Sequence, residues 1–182
     1  NWANDYYKWV DTDKRRTDGN GTVFGAVPDD NVFTFGTGIG GNNVTFVSYC
    51  FAEVEGYSRF GSYTANGSND GTFVFTGFDI SFLMIKRSSA TSAYSSWTIY
   101  DNKRKTINSD VGTDSNPLFA NKTSQEGIRG NGSLSISGTR TSVDFLSNGF
   151  KTRDVADEIG VSNNTYIYMC WAKTPFKYAT AK

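Results

Sequence analysis

Residues 163–172 read Asn-Asn-Thr-Tyr-Ile-Tyr-Met-Cys-Trp-Ala, and this run decides the fold class. From Tyr166 onward, apolar and aromatic side chains occupy both sets of alternating positions, which is typical of a β-strand covered on both faces. Residues 43–52, Asn-Val-Thr-Phe-Val-Ser-Tyr-Cys-Phe-Ala, have the same pattern. We therefore expect both runs to be central strands in a fold of two packed sheets.

The composition of the whole chain favours strands and turns. Its 182 residues include 16 Asn, 19 Ser, 20 Thr and 19 Gly, but only four Leu and one Gln. Phe, Tyr, Val and Ile supply most of the apolar content, whereas strong helix formers are scarce. The predicted fold is all-β with at most a short helical turn: a two-sheet antiparallel β-sandwich of jelly-roll type, favoured over a small barrel.

Apolar alternation and the positions of Gly-, Asn- and Ser-rich turns predict nine strands. They cover residues 6–11, 32–35, 44–54, 72–75, 79–86, 97–101, 133–137, 143–146 and 165–173.

The chain also contains a partial internal repeat. Residues 43–52 align with 163–172 without a gap, with four of ten positions identical, and residues 12–17 align with 101–106. The order of the two matches predicts that residues 1–55 are the closing half of one unit, packed on a complete unit at 56–182 that carries an inserted loop near 107–141.

Charge and chain start narrow the expected partners. The 18 basic and 18 acidic side chains cancel, so a nucleic-acid partner is not expected. No apolar run reaches the roughly 18 residues that cross a bilayer, so membrane insertion is not expected either. The chain starts at Asn1 without a signal-peptide pattern, which indicates a processed or truncated start of a larger polypeptide. A half unit exposes strands, so we expect a homo-oligomer or another partner to cover them.

Cysteine and histidine usage argues against an enzyme. The chain has no His, so a Ser-His-Asp or Cys-His arrangement cannot form within it. Carboxylates at 53 and 55, and at 154, 157 and 158, are the remaining acid–base candidates. We favour a solvated strand edge for the pair at 53 and 55, and we predict no catalytic residues and no cofactor. Cys50 and Cys170 are predicted to be buried free thiols rather than a disulfide, and no metal site is expected from them.

Six residues are candidates for contact with a glycan: Tyr63, Asn66, Asn69, Asp70, Tyr94 and Trp97. Sugar sites combine an aromatic ring over the C–H face of the sugar with polar groups for its hydroxyls. The alternative for each ring is packing in the core or at a subunit interface. Loops 66–71 and 110–116 concentrate oxygen donors that Ca²⁺ could use, although such residues also form tight turns.

Three basic clusters, at residues 14–16, 86–87 and 103–105, have two interpretations. They could contact an anionic polysaccharide or the phosphates of a lipopolysaccharide. We favour the second interpretation, in which they flank strands, pair with nearby aspartates and keep strand edges apart.

Several runs together carry a family resemblance. Residues 56–78, 84–87, 97–101, 144–151 and 166–169, with 175–178, resemble a module of uncharacterised function that recurs in virion proteins of marine tailed bacteriophages. The resemblance covers nearly the whole chain and implies a lectin-like β-sandwich in tail fibres, head fibres or other appendages on the virion surface. It implies a non-enzymatic structural protein, a fibre, spike or capsid-decoration module that contacts other virion proteins. The alternative is an adhesin module that binds carbohydrate on the host surface.

Overall fold

A computed structural model describes residues 6–7, 17–18, 32–36, 45–89, 95–104, 117–123, 126 and 143–174. Within these ranges the protein is all-β and contains no helix. The strands are β1 (Tyr6–Tyr7), β2 (Thr17–Asp18), β3 (Ser58–Thr64), β4 (Phe73–Phe75), β5 (Ile80–Arg87), β6 (Thr98–Asp101), β7 (Leu118–Phe119), β8 (Val143–Leu146), β9 (Gly149–Thr152) and β10 (Thr165–Ala172).

The strands form two main antiparallel sheets. The larger sheet has the order β3-β10-β5-β6-β7, and the smaller has the order β4-β9-β8. Strands β1 and β2 form a separate antiparallel pair. Strand β10 pairs with β3 on one side and with β5 on the other, so it is an internal strand of the larger sheet.

The core lies between the two sheets. The larger sheet contributes Tyr63, Leu83 and Tyr168, and the smaller contributes Phe145 and Phe150, all buried in one cluster. The Phe150 ring contacts Tyr63 and Tyr168 edge-on, with centroid distances of 5.8 and 5.4 Å. Because side chains from both inner faces interlock in this way, the architecture is β-sandwich-like.

The prediction of a central strand at 165–173 is confirmed by β10, but only one of its two faces is fully covered. Its residues alternate between fully or nearly buried and half-buried along the whole strand. On the half-buried face, Trp171 meets the rings of Phe60 and Phe82 edge-on at 5.6 and 5.5 Å. The predictions at 72–75, 79–86, 97–101 and 143–146 are also confirmed, with ends within one residue of the observed strands. Residues 133–137, and most of 6–11, lie outside the described residues.

The sequence prediction missed β3 and β9, which carry little apolar alternation. Strand β3 reads Ser-Arg-Phe-Gly-Ser-Tyr-Thr. Gly61 lies opposite Tyr168, and a Cβ at this position would stand 2.8 Å from the Tyr168 hydroxyl. The glycine that weakens the strand signal in the sequence therefore makes room for a core tyrosine.

The predicted strand at 44–54 is wrong where the structure describes it. Residues 45–53 form no strand, and only Val54 makes a bridge, with Ser58. Side chains of Val47, Tyr49 and Phe51 are 78, 82 and 64% exposed. The physical reason is that β10 already fills the central place between β3 and β5 that this apolar pattern suits.

Several other expectations for the N-terminal part of the chain and the inserted loop are corrected or remain predictions. Cys50 is exposed rather than buried, because it lies on the same unpaired segment. Residues 32–36 contain no strand. The division into a half unit at 1–55 and a complete unit at 56–182 remains a prediction, as does the inserted loop, of which the structure describes only 117–123 and 126. No membrane-spanning helix is found in the described parts of the chain.

Candidate functional site

The outer face of the smaller sheet carries two exposed aromatic rings. Phe73 and Phe75 flank the buried Val74 on β4 and are 45 and 57% exposed. Successive side chains of a strand point to opposite faces, so burial of Val74 turns both rings outward. Phe73 lies opposite Lys151 on β9, and Phe75 lies opposite Gly149.

Charged side chains border these rings. Asp70 accepts hydrogen bonds from Lys151 Nζ at 2.5 Å and from Arg153 Nη1 at 2.8 Å. Arg153 also pairs with Asp144 on β8. The hydrogen bond from Lys151 and the two positive charges lower the pKa of Asp70, so this exposed carboxylate stays ionised to a lower pH than an ordinary one. The result is an exposed surface of two rings and four alternating charges, which we call the Phe73 face.

Loop 66–71 lies beside the Phe73 face and is held by its own side chains. Asn66 Oδ1 accepts from the Ser68 amide at 3.1 Å, and Asn66 Nδ2 donates to the Asp70 carbonyl at 3.1 Å. Gly67 supplies the left-handed turn, with φ of 69°. Asn69 is exposed. The structure therefore brings Asn66, Asn69 and Asp70 together, and Asn66 is engaged in shaping the loop.

The predicted aromatic partners of this loop lie elsewhere. Tyr63 is 7% exposed, stacks on Tyr166 with centroids 5.2 Å apart, and donates its hydroxyl to the Ile159 carbonyl at 2.9 Å. Burial raises the pKa of Tyr63 well above its ordinary value. Trp97 is 3% exposed. Both rings are therefore core residues, as the alternative interpretation expects, and neither offers a face to a sugar. Tyr94 lies outside the described residues.

The Phe73 face was missed because the sequence does not reveal which side of a short strand points inward. The alternation Phe-Val-Phe predicts a strand, but it allows either the two phenylalanines or the valine to face the core. Two large rings outside and one valine inside is the less expected choice.

Trp97 forms part of a second buried group with Lys86. Lys86 is fully buried, donates from Nζ to the Ser95 carbonyl at 2.9 Å, and places this ammonium 5.7 Å from the centroid of the Trp97 ring. The Trp97 amide donates to Asn121 Oδ1 at 2.9 Å. Cluster 86–87 does not keep a strand edge apart as predicted, because β5 is an internal strand and both residues are buried. Arg87 does pair with an aspartate, Asp157.

Arg87 anchors the loop between β9 and β10. Its Nε and Nη2 donate to Asn164 Oδ1 at 3.1 and 2.9 Å, and its Nη1 pairs with Asp157 at 2.6 Å. The Tyr166 hydroxyl donates to the Asp157 carbonyl at 3.0 Å and accepts from the Val161 amide at 3.0 Å. Burial raises the pKa of Tyr166 to about 12. These bonds tie the loop to β5 and β10.

Two carboxylates of the loop between β9 and β10 are buried. Asp154 is 6% exposed and Glu158 is 1% exposed. Asp154 Oδ1 accepts from the Ala156 amide at 3.0 Å, which closes the first turn of the loop. This contact of Asp154 stabilises the loop.

Cys170 is buried, as predicted, and both cysteines are free thiols. Its Sγ donates to the Arg59 carbonyl at 3.5 Å. Burial raises the pKa of the Cys170 thiol to about 12, so the reactive thiolate form is suppressed.

Metal-binding groups do not gather in the part of the chain that the structure describes. There, no three Asp, Glu or Cys side chains lie close enough together to hold a metal ion. In loop 66–71 the one carboxylate, that of Asp70, is taken by Lys151 and Arg153. Loop 110–116, the second place where oxygen donors could serve Ca²⁺, lies outside the described residues.

Fold and surface together define a class: an all-β protein of two facing antiparallel sheets, with an exposed aromatic and charged face on the smaller one. The sequence matches a domain of unknown function, DUF7483, over residues 3–175, and the chain belongs to this family. Neither a curated protein nor a solved structure matches the chain.

Proposed function

We propose that this chain is a non-enzymatic structural protein of a bacteriophage virion: a fibre, spike or capsid-decoration module that assembles into a symmetric appendage at the particle surface. Its finer fold in this proposal is a jelly-roll, lectin-like sandwich with a partial repeat. The sequence resemblance across residues 56–78 and 144–151 supplies the virion setting. The proposed partners are further copies of the chain and other virion proteins.

One observation carries the proposal: large apolar side chains lie exposed along a whole segment of the chain. In residues 45–54, Val47, Tyr49 and Phe51 each leave well over half of their surface exposed. Soluble monomers rarely expose contiguous apolar patches, and such patches mark protein contacts. A module that works within an assembly would cover this surface with neighbouring chains.

The buried polar groups support the same proposal. Arg87, Asp157 and Tyr166 are bonded to one another or to loop backbone, and Tyr63 is bonded to Ile159. Their hydrogen bonds join one element to the next and stabilise the fold. These groups therefore have a structural use that requires no substrate.

Labelling of particles tests the proposal. Fab fragments raised against the purified chain, imaged on purified virions by electron microscopy, should decorate one symmetric appendage at a constant position. Fab fragments against an unrelated phage enzyme provide the control. Absence of the chain from virions, with its presence only in the lysate, would contradict a structural role.

A second candidate function, binding of host-surface carbohydrate, is favoured by the Phe73 face. There, two exposed rings lie beside Asp70, Lys151 and Arg153, which can bond hydroxyl or carboxylate groups of a sugar. This combination is the one expected of a sugar site, on different rings from those predicted.

A glycan array tests this second candidate. Wild-type chain should bind a defined set of glycans, and Phe73→Ala or Phe75→Ala should lower that binding at least about tenfold, the loss expected for one well-packed ring. Leu118→Ala shortens a side chain that is 38% exposed on β7 of the larger sheet and should leave binding unchanged. If the wild-type chain binds no glycan, the Phe73 face has no role in carbohydrate recognition.

A further inference from the structure

Strand β3 lies at one edge of the larger sheet, and its backbone shows which groups face outward. Ser58 exchanges both backbone hydrogen bonds with Val54, at 2.9 and 3.2 Å, away from β10. The Phe60 amide also points away from β10, toward Glu53 Oε2 at 3.5 Å. Outward and inward groups alternate along a strand, so the N–H and C=O of Ser62 face the same edge, where no strand of the described residues pairs with them.

The Val54–Ser58 bridge fixes a register for any strand that extends along this edge. Continued in the antiparallel sense, it places Ala52 opposite Phe60 and Cys50 opposite Ser62. Glu53 and Arg59 fall opposite each other, and their side chains already pair at 3.8 Å. The local charges therefore agree with this register.

Within one copy the pairing stops after its first step. Residues 45–53 contain no strand, and the Phe51 ring packs against Trp171 with centroids 5.4 Å apart. This contact takes the chain away from the edge before it reaches Ser62. The outward backbone of Ser62 and the apolar segment 45–53 thus both remain exposed in the same molecule.

Segment 45–53 has a sequence suited to pairing with β3. It overlaps residues 43–52, which match residues 163–172 at four of ten positions. Those residues contain β10, the strand that pairs with the opposite side of β3 over seven residue pairs. Both an unpaired strand sequence and its acceptor edge are therefore present in every copy of the chain.

We propose that the turn at 55–57 opens and that segment 45–53 of one copy adds as an antiparallel strand to the β3 edge of a second copy, with Val54 opposite the second copy's Ser58 in place of its own, and that the second copy returns the same contact. Such an exchange is self-complementary and closes as a twofold dimer. This exchange is the contact by which copies of the proposed structural module would assemble, so the inference rests on the proposed function. The partner is a second copy because this chain itself carries both the strand sequence and the edge that accepts it. The Val54–Ser58 bridge and the Glu53–Arg59 pair give the register in which they fit.

Disulfide trapping tests the register in the full-length chain. In the proposed pairing, Cys50 of one copy lies opposite Ser62 of the other, with Cα atoms roughly 5.5 Å apart, within the range that a disulfide spans. Under mild oxidation, Ser62→Cys should yield a covalent dimer on non-reducing gels, well above the wild-type background. Ser147→Cys introduces an equally exposed thiol on the β8–β9 turn and should not. A disulfide within one chain, or equal dimer formation by both variants, would overturn the proposal.

Sedimentation velocity supplies a measurement that needs no new thiol. Wild-type chain should sediment as a dimer at micromolar concentration, and Val47→Lys should weaken dimerisation at least about tenfold, because it places a charge in the buried strand. Val155→Lys, the matched change at another exposed valine, should have no effect. A monomeric wild-type chain refutes the strand exchange, whereas only the particle-labelling experiment can refute the place of the chain in a virion.

Discussion

At the scale of single residues, tyrosines do much of the work of holding the two sheets together. Tyr63 and Tyr166 stack in the core, and each donates its hydroxyl to a backbone carbonyl of the loop between β9 and β10. A tyrosine placed in this way contributes apolar area and a satisfied hydrogen bond at once. It also makes stability depend on the phenol remaining protonated.

Stability should therefore fall at alkaline pH. The pKa of Tyr166 is raised from 10.0 to about 12 by burial, so the unfolded chain loses this proton first. The stabilisation is fully present below pH 10 and is lost as pH rises from about 10 to 12. Urea denaturation across this range should show the decline, and Tyr166→Phe should show less of it.

At neutral pH, Tyr166→Phe should lower the free energy of unfolding by about 1–2 kcal/mol, because the Val161 amide and Asp157 carbonyl lose a partner. Tyr49→Phe, at a tyrosine that is 82% exposed, should change neither the stability nor its pH dependence. An alkaline decline identical in all three proteins would contradict this account of Tyr166.

The two cysteines should differ sharply in reactivity. Cys50 is exposed, whereas Cys170 is buried and has its pKa raised to about 12. A thiol-specific chromogenic reagent should therefore titrate one thiol rapidly in the native chain and the second only after denaturant is added. Cys50→Ser should abolish the rapid phase, and its persistence in that variant would show that Cys170 is accessible.

At the scale of elements, local pattern predicts strands well only when the strand's place in the sheet agrees with it. The sequence predicts β10 because all seven residues from Tyr166 to Ala172 are apolar or aromatic, and the strand does lie inside a sheet, with one face buried and the other half-buried. Residues 45–52 carry the same pattern but form no strand, because β10 already occupies the central place between β3 and β5. Strand β3 forms although its sequence lacks this alternation, and its Gly61 leaves the space that the Tyr168 side chain occupies.

The candidate site shows the same limit. Loop 66–71 could be predicted from its Asn, Ser and Asp residues, because those residues form turns wherever they cluster. The rings beside it could not, since a shift of one residue exchanges the two faces of a strand. The structure shows that the predicted ring, Tyr63, points into the core, whereas Phe73, which was not predicted, points outward.

Gly149 is where β9 depends on the absence of a side chain. A Cβ there would fall well inside contact distance of the Val74 carbonyl, which is part of the backbone and cannot rotate away. Gly149→Ala should therefore separate β4 from β9 and lower the free energy of unfolding by about 2 kcal/mol or more.

Chemical denaturation measures this loss, with Ser147→Ala, on the adjacent turn, as the control that should stay close to wild type. If Gly149→Ala is as stable as Ser147→Ala, the close approach of β4 to β9 does not exist in solution.

At the scale of the whole molecule, two sheets enclose one core, and segment 45–53 lies outside it. The neutral net charge offers little long-range repulsion between copies, so apolar and edge-strand contacts can decide assembly. Residues 45–53 and the β3 edge are the surfaces that the fold leaves available for this purpose. Strand β3 thus serves both the fold, through its pairing with β10, and the proposed assembly, through its outer edge.

Amide hydrogen exchange of the full-length chain, followed as a function of protein concentration, tests this connection most directly. The account predicts slow exchange in β5 and β10 at every concentration, and protection of residues 45–53 and Ser62 that appears only as concentration rises. Exchange that is equally fast at 45–53 at all concentrations would contradict it.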